Sequence, residues 1–156
     1  MIRSPRDMEL LGERLAHGRQ PGDVLFLQGD LGCGKTCLAR GFVRAHTRQK
    51  EMVVPSPTYL LVNTYDEAAD VAIVYHVDLY RLQTVTEQDA AAFGLAAAFE
   101  QGITLVEWPE RLDEACLPRE RLEVRISYVE GDPETRHVEL RPIGKRWANR
   151  LAMNMK

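Results

Sequence analysis

Val24-Leu25-Phe26-Leu27-Gln28-Gly29-Asp30-Leu31-Gly32-Cys33-Gly34-Lys35-Thr36-Cys37-Leu38 passes from an unbroken apolar run, through a glycine-rich turn, into an amphipathic segment. Gly29 to Thr36 spells G-x-x-x-x-G-K-T, the pattern of loops that cradle phosphate. Val24 to Leu27 predicts a buried strand before the turn, and Cys37 to Arg44 predicts a helix after it. Glycine backbone lets successive N–H groups turn inward around phosphate oxygens, and the helix N-terminus adds the positive end of its dipole. Lys35 is predicted to reach the β- and γ-phosphates, and the Thr36 hydroxyl to ligate Mg²⁺. Asp30, Leu31, Gly32, Cys33, Gly34 and Cys37 complete the predicted cradle for a nucleoside triphosphate.

A chain of 156 residues has the length of one domain with one good core, so a single domain over 1–156 is expected. The net charge of −3 argues against an extended nucleic-acid-binding face. Arg40, Arg44, Arg48 and Lys50 do form a local basic cluster, whose plainer reading is a solvated helix face. Three cysteines without framework spacing predict a reducing compartment. Cys33 and Cys37 lack the His or Cys pair that would complete a zinc site. Met1 to Pro5 has no apolar signal core, and the run from Ala90 to Phe99 is too short to span a bilayer. A cytoplasmic protein without a membrane segment is expected.

Ser4-Pro5-Arg6-Asp7 has the form of a helix start, with Ser4 as N-cap, and Gly18 is a stop signal. Tyr59 to Tyr65 and Val71 to Val77 predict an antiparallel hairpin. Thr86 to Glu100 predicts a helix interrupted at Gly94, and Ile103 to Val106 a buried parallel strand. Leu122 to Val129 and His137 to Arg141, separated by Gly131-Asp132-Pro133, predict a second hairpin before a closing helix from Ile143 to Met153. The pattern predicts a three-layer α/β fold with a mixed sheet and β-hairpins.

A phosphate loop needs an acid at the end of a neighbouring hydrophobic strand, to hold Mg²⁺ or its waters. Val71 to Val77 runs into Asp78, and Ile103 to Val106 runs into Glu107. Both acids are candidate catalytic and metal-binding groups, and the residues alone leave open which does which. Thr58, on the loop after the first helix, is a candidate sensor of the γ-phosphate. His76 shares a strand face with Asp78 and reads as a core or surface histidine rather than a catalytic one. Trp108 is a candidate to pack over the nucleotide or to anchor a partner. No Asn-Lys-x-Asp guanine reader is present, and there is no Arg-rich lid insertion of the kind small-molecule kinases use.

Leu27 to Thr36, Ser56-Pro57-Thr58-Tyr59, His76-Val77-Asp78-Leu79-Tyr80-Arg81 and Glu107-Trp108-Pro109-Glu110 together resemble the TsaE (YjeE) family of P-loop ATPases, in order and in spacing, over nearly the whole chain. The resemblance implies an ATP- and Mg²⁺-dependent P-loop NTPase with weak ATPase activity. It also implies work with TsaB and TsaD homologues, which make threonylcarbamoyladenosine beside the tRNA anticodon; tRNA contact would be indirect, through the complex. On this resemblance Lys35 and Thr36 bind phosphate and metal, Glu107 is a Mg²⁺ ligand, and Asp78 and Thr58 hold catalytic or switch positions. Trp108 lies beside the nucleotide, and the first helix and the hairpin tip near Gly131 to Arg136 border adenine and ribose. Position 33 departs from the usual small residue of the family by being Cys. A thiol at a helix N-terminus is expected to ionise more readily and to be shielded by nucleotide, unless its side chain points away. The alternatives are a small P-loop kinase with its own phosphoryl acceptor, and a binding module without turnover.

Overall fold

The computed structural model describes residues 1–55, 62–66 and 71–154. Helix α1 (Pro5–Leu15) leads to β1 (Val24–Gln28), α2 (Lys35–Thr47), β2 (Val62–Tyr65) and β3 (Val74–Asp78). Helices α3 (Glu87–Ala92) and α4 (Leu95–Gln101) precede β4 (Ile103–Glu107), and β5 (Arg121–Val129), β6 (Asp132–Ile143) and α5 (Lys145–Asn154) complete the order. One six-stranded sheet runs β2-β3-β4-β1-β5-β6. Its four inner strands are parallel, and the two edge strands are antiparallel to their neighbours. The mixed α/β fold with terminal hairpins is as the sequence predicts.

The inner strands are apolar on both faces because both faces are covered. Leu25 and Leu27 point toward α1, α2 and Trp147 of α5, whereas Val24 and Phe26 meet Val106, Val77 and Leu95 on the side of α3 and α4. Register places Leu27 opposite Glu107 and Glu107 opposite Asp78, so both acids end their strands beside the loop that leaves β1.

Local chemistry sets most element ends. The Asp7 N–H donates to the Ser4 hydroxyl at 3.1 Å, with Pro5 at the first helical position. Thr86 and Asp89 form a reciprocal capping box on α3, and Gly94, at φ 74°, separates α3 from α4. Helix α2 begins at Lys35, two residues before the predicted run, because left-handed Gly34 turns the chain directly into it. It continues to Thr47, where Arg48 at φ 59° closes it. β6 likewise begins at Asp132 rather than His137: Pro133 lacks an N–H, and an edge strand tolerates that. The predicted Tyr59 to Tyr65 strand is seen from Val62, its first residues lying outside those described; its partner starts at Val74 rather than Val71.

Helices α1 and α2 cross unusually closely. A Cβ on Gly12 would lie 2.0 Å from the Leu38 carbonyl oxygen, and one on Gly41 1.9 Å from that of Glu9. Near this crossing Glu9 is ringed by Arg40 at 3.3 Å, Arg44 at 3.7 Å and Arg6 at 3.6 Å. Arg44 also donates to the Met52 carbonyl, so half of the basic cluster is committed within the fold. No helix among the described residues is long and apolar enough to cross a membrane.

Candidate phosphate and metal site

The loop after β1 bends through Gly32 at φ 75° and Gly34 at φ 115°, conformations that disfavour a side chain. It delivers Lys35 and Thr36 to the first turn of α2, at the C-terminal ends of β1, β3 and β4. There a cleft of about 350 Å³ is lined by Lys35, Thr36, Asp78, Glu107, Trp108 and Tyr80, among others. Sheet topology therefore gathers residues from three separate motifs into one cavity. Ligand sites of open α/β sheets lie at this end of the strands.

Lys35 is 5% exposed; its Nζ donates to the Gly29 carbonyl at 2.6 Å and lies 3.7 Å from the centre of the Trp108 ring. A buried ammonium with one carbonyl and one aromatic face for neighbours is well suited to receive an anion. The Thr36 hydroxyl lies 3.2 and 3.4 Å from the two carboxylate oxygens of Glu107, which is 3% exposed. Asp78, 4% exposed, accepts the Tyr80 backbone N–H at 2.9 Å. One hydroxyl and two carboxylates are hard oxygen donors suited to Mg²⁺, with phosphate and water filling the other positions. Among the described residues no three His, Cys, Asp or Glu side chains make a metal site by themselves. A metal here would therefore share its coordination with a bound phosphate.

Trp108 occupies the left-handed region, at φ 62°, where a non-glycine residue is strained. The turn Pro109–Arg111 follows it directly, and Tyr80 packs against its indole with centroids 5.1 Å apart. Tyr80, which belongs to the motif from His76 to Arg81 but received no site role from the sequence, lines the cleft.

The remaining loop residues divide by orientation. Leu31 is exposed, and its carbonyl accepts the Tyr128 hydroxyl at 2.7 Å. The Asp30 carbonyl accepts the Cys33 N–H at 3.2 Å, closing the turn. Cys37 is half-buried and borders both the phosphate cleft and a neighbouring cavity of about 90 Å³. That second cavity lies between the start of α1, the loop and Arg136. Ile2 and Arg136 form a backbone pair there, so the start of the chain and the late hairpin flank the loop. Thr58 lies outside the described residues.

Cys33 requires a correction. Its thiol is 1% exposed and faces inward, within 2.5 Å of where a Gly29 Cβ would stand. Burial raises its pKa above the ordinary thiol value, outweighing the opposing effect of Lys35. The expected activation at the helix N-terminus therefore does not occur. A dipole acts on a thiol that faces it, and the loop turns this one into the core.

His76 is a core histidine, one of the two placements its sequence position allows. It is wholly buried, and its Nε2 lies 2.6 Å from Glu107 Oε2. Its spacing from Asp78 indicates the correct strand face, but only the register of β3 on β4 brings it to Glu107.

A family model described as "Threonylcarbamoyl adenosine biosynthesis protein TsaE" matches residues 2–138. The tRNA threonylcarbamoyladenosine biosynthesis protein TsaE of Bacillus subtilis is 35% identical over 145 residues, covering 92% of this chain and 85% of the relative. The protein of the same name from Streptomyces coelicolor is 35% identical over 143 residues, covering 90% of this chain and 94% of the relative. Among solved structures, Bacillus subtilis YdiB superposes with a TM-score of 0.76 at 29% identity, over 98% of this chain and 92% of that one.

Proposed function

The chain belongs to the TsaE family of threonylcarbamoyl adenosine biosynthesis proteins, and from that membership and the cleft geometry we propose that it is a Mg²⁺-dependent, weak ATPase. In this reading it hydrolyses ATP to ADP and phosphate while supporting TsaB and TsaD homologues, which transfer threonylcarbamoyl to N6 of the adenosine beside the tRNA anticodon. One observation carries the nucleotide part: Lys35, Thr36, Asp78 and Glu107, from three distant motifs, line a single cleft at the strand ends.

Lys35 leaves the Gly29 carbonyl for the β- and γ-phosphate oxygens, exchanging a neutral acceptor for charged ones. Thr36 presents its oxygen lone pairs to the metal while its O–H donates to Glu107. A Mg²⁺ ion held by Thr36 and Glu107 would supply charge neutralisation to the bound phosphates. Glu107 holds the metal side of the site, and Asp78, one strand away, orients the attacking water. Adenine and ribose are assigned to the side of the loop bordered by the start of α1 and Arg136. The bound phosphates would cover Lys35 and the Trp108 face against which it rests.

The test is phosphate release from Mg-ATP by the chain alone, and again with a TsaB and TsaD pair added. Slow release that accelerates with the pair supports the proposal. Phosphate appearing on a small molecule instead would identify a kinase, and no turnover in either mixture would identify a binding module.

A further inference from the structure

We propose that His76 is a positioning residue: its Nε2–H fixes the Glu107 carboxylate so that Glu107 in turn orients the Thr36 hydroxyl toward the metal. The inference rests on the Mg-nucleotide reading of the cleft. A carboxylate only accepts hydrogen bonds, so in the 2.6 Å contact with Glu107 Oε2 the proton belongs to His76 Nε2. The other ring nitrogen, Nδ1, is buried and has no hydrogen-bond partner among the described residues. Nδ1 contributes nothing to holding the backbone, so the polar function of the ring is directed at Glu107.

The direction matters because Glu107 is 3% exposed and has little water to satisfy it. Among the described residues its oxygens have two side-chain donors, His76 at 2.6 Å and the Thr36 hydroxyl at the longer 3.2 and 3.4 Å. The short contact is the fixed one and the long contact the adjustable one. A hydroxyl has one proton and two lone pairs; with its proton aimed at a stationary Glu107, the lone pairs face the cleft. Without His76 the carboxylate would be free to rotate, and the Thr36 lone pairs would lose their preferred direction. A core histidine serving only to fill space would not need this contact. The ring is wholly buried on β3, diagonally across the sheet from Glu107 on β4. Partners that orient a metal-binding group in this way commonly change metal affinity about 10- to 100-fold when removed.

His76→Leu removes the donor at similar volume, whereas His76→Gln retains an N–H near the Nε2 position. ATP affinity of each folded protein is measured by calorimetry in EDTA and at graded Mg²⁺. The expected result is metal-free affinity within about twofold of wild type for both variants. For His76→Leu the Mg²⁺ concentration giving half-maximal enhancement should rise about tenfold, with His76→Gln recovering most of that loss. Unchanged Mg²⁺ dependence in His76→Leu, beside clear dependence in wild type, overturns this inference alone. Absence of Mg²⁺ dependence in wild type overturns the nucleotide–metal reading and this inference with it. Nitrogen NMR of the wild-type imidazoles needs no variant to fold: a proton on His76 Nε2 supports the proposal, and one on Nδ1 alone overturns it.

Discussion

Lys35 rests with its ammonium 3.7 Å from the centre of the Trp108 ring while donating to the Gly29 carbonyl at 2.6 Å. One residue ends the phosphate loop and the other follows the acid of β4, so the contact ties the two halves of the cleft together. Any phosphate that recruits Lys35 must alter both contacts. Trp108 fluorescence is therefore expected to change saturably on adding ATP, with Trp147 of α5, fully buried, as a constant background. Trp108→Phe should abolish the signal. Lys35→Ala should weaken ATP binding by about 1.5–3 kcal/mol, the usual worth of a hydrogen bond to a charged group. A full fluorescence response in Lys35→Ala at wild-type ATP concentrations would contradict the assignment.

Glu107 and Asp78 face each other in register across β4 and β3, and Glu107 accepts the Thr36 hydroxyl. Glu107→Gln is expected to retain ATP binding and to stop phosphate release, since an amide holds metal more weakly than a carboxylate. Asp78→Asn should slow turnover while reducing Mg²⁺ dependence less than Glu107→Gln does. Parallel assays of binding and phosphate release check both. Normal turnover in Glu107→Gln would remove the metal role from Glu107 and leave Asp78 as the essential acid.

Burial governs Cys33. Its raised pKa means less thiolate at neutral pH than an ordinary cysteine has, and the thiolate fraction grows only as pH rises past the usual thiol range. Iodoacetamide should therefore label Cys33 more slowly than half-buried Cys37, with the gap narrowing only under alkaline conditions. Peptide mass spectrometry across a pH series gives the order. Preferential labelling of Cys33 at neutral pH would show that the loop opens far more than its packing indicates.

The glycines of α1 and α2 are packing residues with a functional consequence. Gly12→Ala places a methyl 2.0 Å from the Leu38 carbonyl oxygen, so α2 must move away. Overpacking of this kind costs about 1–3 kcal/mol. Because α2 begins at Lys35, the same shift should also weaken ATP binding. Denaturant unfolding and ATP titration on one sample measure both effects; a loss of stability without any loss of affinity would show that the loop is decoupled from the helix crossing.

Sequence by itself determined those features whose cause lies within a few residues. The bends at Gly32 and Gly34, the succession Lys35-Thr36 and the break at Gly94 follow from backbone sterics at those positions. The cap at Ser4 follows from a hydroxyl reaching the N–H three residues on. The apolar runs of β1 and β4 announced strands covered on both faces. Strand register belonged to the tertiary structure. It set Asp78 beside Glu107, drew His76 onto Glu107 and brought Tyr80 against Trp108. The same is true of the inward turn of Cys33, where packing against the core outweighed the local helix dipole. Short-range sterics act along the chain and can be read from it. Which distant side chain ends as whose neighbour is decided only when the strands pair and the apolar faces choose their partners.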